Sequence, residues 1–492
     1  MEFGLVNYIV LGAYLALMLV IGWVSGRRIK TSRGFFVANG KLNYIVVGVS
    51  ILGTYLSALT MMGLPGMSYG KHDWTYMVQL PFLIITAIVI TRFVLPRYRE
   101  AGVISVYAYL EQRIGIAARM IGSGSFILFA LGRMGLVLYL PALAFSTVTG
   151  ADLAFCIVVM GIIITVYTVM GGMEAVVWTD FFQVIIFVAG ALLTIGFVFS
   201  SISFNQFIAI GQEYRKFRWI APRPDSGKIT DITQITTIWL ILETIFQTIR
   251  IYATQQDVAQ RYMTTESTKK AARSAWIGIL AYIPLGFIFY FIGTALFVFY
   301  KVHPDASLPA KSDPVYPHFV MNQLPVGIAG LVIAAIFAAA MSSIDSCMNS
   351  ASTVCIEDFF KRFDKREHND REHLLMARLL TVVWGGIAIL TAFLFINVNY
   401  VQIAWGKLMA LTTNGILGLV ALAFLPFKIR PRAAVTGFVV STLYLAVIVF
   451  GGMTDPPALE INFLLWPVIG NTVCFLTALA VHRAGSEVLS SQ

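Results

Sequence analysis

Stretches of about 20 apolar residues recur from one end of this chain to the other, and each is long enough to cross the ~30 Å hydrocarbon core of a bilayer as an α-helix. About thirteen can be marked: 5–25, 43–69, 74–96, 118–148, 151–170, 175–203, 235–254, 275–300, 326–356, 377–397, 401–426, 432–451 and 462–482. With 58% hydrophobic and only 12% charged residues, a chain of 492 residues cannot keep that much apolar surface from water as a soluble globule. The expectation is an all-α integral membrane protein lodged in the lipid bilayer.

The first run is followed by Arg27, Arg28, Lys30 and Arg33 and lacks a small-residue cleavage site, so it reads as a retained helix and not a signal peptide. Basic clusters at 97–113, 261–273, 361–371 and 428–432 all fall on one side of the alternating topology, which the positive-inside rule makes cytoplasmic. The N-terminus is then outside and the C-terminus, "VHRAGSEVLSSQ", inside. The basic loop "YRKFRWIAPRPDSGK" at 214–228 is the exception, outside by this count, with a miscounted helix as the alternative.

These short loops hold most of the basic residues behind the net charge of +10, so no nucleic-acid partner is implied. Cys156, Cys347, Cys355 and Cys474 lie in or beside apolar helices as small hydrophobes, with no disulfide expected. His368 and His373 sit in a charged loop, which favours solvation over metal binding. No polar stretch is long enough to bury a core of its own. Function must therefore reside among the helices.

One helix-length run is unusually rich in oxygen: "IFAAAMSSIDSCMNSAST" at 336–353. At 100° per residue, Ser342, Ser343, Ser346, Asn349, Ser350 and Thr353 share one side, with Asp345 at its edge, while Met341, Ile344, Cys347 and Met348 occupy the opposite arc. Close helix packing explains the alanines and some of the serines. It does not explain Asp345. A second carboxylate, Asp180, lies in "MGGMEAVVWTDFFQV". Neutral hydroxyls with one or two carboxylates suit a monovalent cation such as sodium better than Ca2+ or Mg2+. Protonated structural carboxylates are the other reading.

A third run, "SILGTYLSALTMMGLPGMSYG" at 50–70, is interrupted by Gly53, Gly63, Pro65 and Gly66 and carries Thr54, Ser57 and Thr60. Breaks at membrane depth are tolerated where the freed backbone lines a cavity or an ion path, and transporters build their sites on them. A simple kink near one end is the plainer account of Pro65. Arg133 stands near the middle of "FILFALGRMGLVLYLPALA", where a guanidinium needs a partner. That partner is either a carboxylate on a neighbouring helix or one on a bound solute. Glu243 and Lys407 are also intramembrane, with no role evident from sequence.

The segments "GGMEAVVWTDFFQ" at 171–183 and "AAAMSSIDSCMNSASTVCIEDFF" at 338–360 resemble the two signature regions of the sodium:solute symporter family, whose thirteen-helix layout the apolar runs match from end to end. The resemblance implies a LeuT-type inverted-repeat fold with a 5+5 core. Residues 1–41 would form the first helix and a cytoplasmic loop, 42–203 the first repeat and 204–234 an extracellular loop. Residues 235–426 would form the second repeat, and 427–492 two final helices with a cytoplasmic tail. It also implies a principal sodium site at the carbonyls of Gly53, Leu56 and Ala339 with the hydroxyls of Ser342 and Ser343. A second site, present only in some members, would use Asp180, Ser342, Asp345 and Ser346. The family often has Ser or Thr at the position of Asp345, so here either the second ion binds tightly or Asp345 titrates.

Ser57, Thr60, Gln79 and Arg133 together resemble the substrate-binding set of the family's sialic acid transporters, and a nine-carbon sugar acid would use such a mixed site fully. The expected function is a sodium:sialic acid symporter of the bacterial inner membrane: a multi-pass monomer, not an enzyme, loading two sodium ions with an anionic sugar. A channel would need a continuous polar pore, and a membrane enzyme a deep histidine or an activated nucleophile; neither pattern is present in the sequence. The same fold carrying proline, glucose, pantothenate or a monocarboxylate, or coupled to protons, is the alternative.

Overall fold

The computed structural model describes all residues except 1–3, 71–72, 222–225, 313, 365–368, 397–407, 410–411, 452–460 and 491–492. His368 and Lys407 therefore lie outside the described residues. Among the described residues, regular structure is helical throughout. The helices that position the site are α1 (Leu5–Gly26), α2 (Tyr44–Tyr55), α3 (Ala58–Tyr69), α4 (Ile116–Thr149), α5 (Leu153–Ser201), α6 (Thr237–Thr254), α7 (Gln256–Ala259), α8 (Tyr282–Val302), α9 (Ile328–Val354) and α10 (Asp370–Leu394). Two more, α11 (Pro431–Gly451) and α12 (Trp466–Ser490), close the chain.

By length and apolarity alone, nine helices among the described residues could cross a membrane, ten if the bent pair Ser32–Gly40 and Tyr44–Tyr55 forms one span. That is fewer than the runs marked in the sequence, for physical reasons. The 49 residues of α5 extend about 74 Å at 1.5 Å per residue and carry two of the expected runs. The direction changes at Gly172, whose φ of 48° and whose approach to the Phe35 carbonyl, 2.6 Å from where a Cβ would sit, both call for glycine. Other spans are broken into pieces too short to qualify, as in α2 and α3. Part of the run 401–426 lies outside the described residues.

The α2/α3 break falls at Leu56 and Ser57, whose extended backbone ends one helix and starts the next. A second break, not foreseen from sequence, falls at Gln255 between α6 and α7. The polar string "TQQD" from 254 to 257 marks it after the event: Thr254, Gln255, Gln256 and Asp257 are all buried. A run ending in four polar residues reads equally well as a helix leaving the membrane, which is why the sequence alone misses it.

At the centre of the bundle, α9 is buried around its whole circumference. Its oxygen-rich side does not face one cavity but serves several neighbours. Ser342 and Ser343 meet α2, Asp345 meets α5, Asn349 and Thr353 meet Gln260, and Ser352 meets Thr381 of α10. The exceptional basic loop is also explained by contacts. Lys216 Nζ donates to the carbonyls of Ser68 (3.1 Å), Tyr69 (2.8 Å) and Gly70 (2.5 Å) at the C-terminal end of α3. A cation there meets the negative end of the helix dipole. Arg218 pairs with Asp73 at 2.5 Å. Lys216 thus holds the C-terminal end of α3, and Arg218 holds Asp73 shortly beyond it.

Candidate functional site

The break after α2 frees three carbonyls from helical bonding, and each finds a partner. Ser342 Oγ lies 3.1 Å from the Gly53 carbonyl and 3.1 Å from that of Ala339, and its single proton can go to only one of them. Ser343 Oγ donates to the Leu56 carbonyl at 3.1 Å. The third freed carbonyl, on Thr54, accepts from Arg133 Nη2 at 3.1 Å. The five oxygens expected of the principal sodium site are thus brought together between α2 and α9, three carbonyls and two hydroxyls with no charged group. A partly dehydrated monovalent cation can be held by such a set. Close approach of the helices is possible because Gly53 packs against Asp180 and Val184 of α5, where even a Cβ would sit 3.3 Å from each.

The four residues expected of a second site also converge, with an addition. Asp180 and Asp345 are both fully buried. Arg261, itself fully buried, pairs with Asp180 Oδ2 at 2.8 Å and donates to Ser346 Oγ at 2.6 Å and Ser50 Oγ at 2.7 Å. Ser50 in turn donates to Asp180 Oδ2 at 2.5 Å. The sequence places Arg261 in a cytoplasmic basic cluster; the structure places it in the core, because the α6/α7 break turns the chain back into the bundle. Asp345 accepts from the hydroxyls of Tyr167 at 2.7 Å, Ser346 at 3.2 Å and Thr179 at 3.4 Å and from the Ser346 backbone N–H, with no ion pair among the described residues. Asp180 Oδ1 and, one turn along α5, Gln183 Oε1 are buried with no hydrogen-bond partner among the described residues. Buried acceptors are ordinarily paired, so unpaired oxygens beside two carboxylates suit a cation.

A cavity of about 320 Å3 opens on the other side of the α2/α3 break. Ser57, Thr60, Gln79 and Arg133 all line it, so the four residues expected to bind substrate share one wall-to-wall space. Thr60 Oγ1 accepts from the Ser57 backbone N–H at 3.4 Å, fixing the start of α3. Arg133 also has a protein partner: its Nη1 pairs with Asp257 Oδ2 at 2.6 Å, and Asp257 is fully buried at the start of α7. Both readings of Arg133 therefore have a physical basis, since the ion pair and the Thr54 bond occupy one edge of the guanidinium while the side chain still borders the cavity. Sequence reasoning missed Asp257, the core position of Arg261, Gln247 on the cavity face of α6 and Gln255 at the α6/α7 break, and it gave Glu243 no role. The intramembrane position of Glu243 was the one available signal.

Residues 35–452 match the family model described as the sodium:solute symporter family. The chain is 32% identical over 483 residues to the sodium/sialic acid symporter SiaT of Proteus mirabilis (strain HI4320), a match covering 96% of this chain and 93% of that protein. Among solved structures it is similar to a Na+-coupled sialic acid symporter in a substrate-bound outward-open state that revealed a novel Na+ site. That likeness has a TM-score of 0.88 and 31% identity and covers 98% of each chain. A likeness to Mhp1, a nucleobase-cation-symport-1 family transporter, at a TM-score of 0.61 and 15% identity over 92% of this chain and 95% of that one, concerns the fold alone. The architecture is the LeuT-type fold expected from the sequence.

Proposed function

As the chain belongs to the sodium:solute symporter family, we propose that it couples inward sodium movement to uptake of N-acetylneuraminic acid by alternating access. The observation that carries this reading is the shared use of the α2/α3 break. Gly53 and Leu56 turn their carbonyls to Ser342 and Ser343, Thr54 between them turns its carbonyl to Arg133, and Ser57 lines the cavity. Four neighbouring residues thereby join the five-oxygen cluster to the solute cavity, so an ion that orders this backbone also shapes the cavity. Arg133 would take the solute carboxylate, with Ser57, Thr60 and Gln79 on its hydroxyls. The sialic acid symporters to which the chain is similar along nearly its whole length support the choice of solute.

Two sodium ions are proposed, one on Gly53, Leu56, Ala339, Ser342 and Ser343 and one on Asp180, Ser342, Asp345 and Ser346. The unpartnered Asp180 Oδ1 supports the second. The inverted repeats are taken as 42–203 and 235–426, a division favoured by the broken helices that open each, α2/α3 and α6/α7. The basic loops favour an inner-membrane protein with its N-terminus outside and its C-terminus in the cytoplasm.

Purified protein in liposomes carrying an inward sodium gradient should accumulate labelled N-acetylneuraminic acid. Replacing external sodium with choline at fixed pH should stop it. Uptake that survives the exchange, or that follows a proton gradient instead, would overturn the coupling; sodium-dependent uptake of another solute with none of sialic acid would overturn the cargo.

A further inference from the structure

The face of α6 that borders the cavity carries chemistry that the reading above leaves unused. Glu243 and Gln247, one helical turn apart, both line the cavity. Behind them Arg250, 2% exposed, lies with its Nε 3.1 Å from Gln247 Oε1. A guanidinium only donates, so the amide atom turned towards it must be the carbonyl oxygen. The other branch of the same amide, an NH2 group that only donates, is thereby left for the cavity. Glu243 is the opposite: an ionised carboxylate only accepts. The ion pairs among the described residues join the cavity's Arg133 to Asp257, while Glu243 is drawn to the Arg250 guanidinium without an ion pair within 4 Å, which leaves its oxygens for the cavity. A carboxylate at this depth is a functional group by default.

We propose that Glu243 and Gln247 read the acylamino group of the solute, the carboxylate accepting its N–H and the Gln247 amide donating to its C=O, while Arg133 holds the solute carboxylate. This rests on the sialic acid reading above and extends it to a part of the molecule that Arg133 cannot distinguish. An amide offers a donor and an acceptor on separate atoms held in one plane, which matches an acceptor-only and a donor-only side chain on successive turns. An ammonium would satisfy Glu243 alone. A hydroxyl would satisfy both only if the two side-chain tips met on one oxygen. Arg250 acts as a positioning residue, since it touches no solute and fixes the orientation of the Gln247 amide.

The test is a ratio of affinities measured calorimetrically on the purified full-length protein. The two ligands are N-acetylneuraminic acid and its analogue with hydrogen in place of the acetamido group. A hydrogen bond to a charged group and one to a neutral amide together predict that the wild type prefers the acetamido ligand by about 30-fold or more. In Glu243→Leu this ratio should fall to about 10-fold or less, the share of the Gln247 bond alone. Should that variant fail to fold, Glu243→Gln and Gln247→Met should each lower the ratio by about 10-fold. A ratio that stays at its wild-type value in a variant that still binds the analogue overturns the assignment of Glu243 while leaving the sialic acid reading intact. A wild type that binds neither ligand overturns both.

Discussion

The pairing of Arg133 with Asp257 permits an experiment that separates holding the fold from holding the solute. The contact is 2.6 Å, with side-chain exposures of 9% and 0%. Deleting either partner strands a charge in a low-dielectric interior and should cost about 3–5 kcal/mol of stability. Loss of binding in Arg133→Ala alone is therefore ambiguous. Replacing the pair together, Arg133→Met with Asp257→Asn, removes both charges. The residual cost is then about 1 kcal/mol for the Thr54 carbonyl that loses its donor, because a buried pair exchanged for neutral residues is often near neutral. Unfolding in detergent should show both single variants melting well below the wild type and the double variant recovering most of the loss. Solute binding should follow a different order. Two hydrogen bonds from a guanidinium to a carboxylate contribute about 1.5–3 kcal/mol each, so affinity for N-acetylneuraminic acid in the double variant should stay more than about 100-fold below wild type despite its restored fold. Arg133→Lys keeps the charge facing Asp257 but not the planar two-point contact, and should bind with intermediate affinity. A double variant that both melts and binds like the wild type would refute the solute role and leave Arg133 as a partner of Asp257 only.

Two further outcomes can be measured directly. Ser342→Ala and Ser343→Ala each remove one of five neutral oxygens and should raise the sodium concentration for half-maximal uptake by about 10-fold without loss of membrane insertion; unchanged sodium dependence in both would remove the principal site from α9. Burial holds the Lys216 ammonium down to about 8 against its ordinary 10.5, so between those pH values the released loop binds more protons than the docked one, and docking should strengthen as pH rises. Proteolysis of the 214–228 loop should accordingly slow from pH 8 to pH 10 relative to the same change in Lys216→Met; an identical pH response in the two proteins would show that Lys216 does not govern docking.

The membrane class was legible because a bilayer imposes a length and a composition that apolar runs display openly. The α2/α3 break was legible only in part: Gly53, Gly63, Pro65 and Gly66 violate helix preferences inside such a run, yet the break falls at Leu56 and Ser57, and Gly63, Pro65 and Gly66 lie within α3. The α6/α7 break carries no such violation. Its residues Thr254, Gln255, Gln256 and Asp257 are what any helix might show on reaching water, and only the packing of α7 against the core reveals that they do not reach it. Arg261 was misplaced by the same ambiguity. A basic residue after an apolar run ordinarily marks the cytoplasmic side, and its true partner, Asp180, is 81 residues away in the chain. The oxygen-rich stripe of α9 was visible in the sequence, but its division among partners was not, because a helix buried on all sides distributes its polar groups among several neighbours.

The charges of the buried core suggest how the two proposed ion sites differ. Arg133 offsets Asp257, and Arg261 offsets Asp180, but Asp345 makes no ion pair among the described residues and takes its hydrogen bonds from the hydroxyls of Tyr167, Thr179 and Ser346 and the Ser346 backbone N–H. The first site consists of neutral oxygens and would depend on the geometry of the α2 break. The second lies where an ionised Asp345 would leave one negative charge over, and a single monovalent cation would cancel it without excess. An ion about 4 Å from a carboxylate gains about 4 kcal/mol at an effective dielectric of 20. Asp345→Ser keeps an oxygen there but removes the charge, and so should forfeit at least a third of that gain. Sodium titrations of uptake should then show a wild-type Hill coefficient above one, and a requirement for the second ion raised by about 10-fold or more in Asp345→Ser. Both core ion pairs remain intact in that variant, so stability should change little. Asp180→Ala removes a proposed ligand and should bring the coefficient towards one, with a loss of stability from the stranded Arg261 guanidinium. A wild-type coefficient of one, with one sodium carried for each anionic solute and so no net charge moved, would mean that Asp180 and Asp345 position Arg261 and Tyr167 and hold no second sodium.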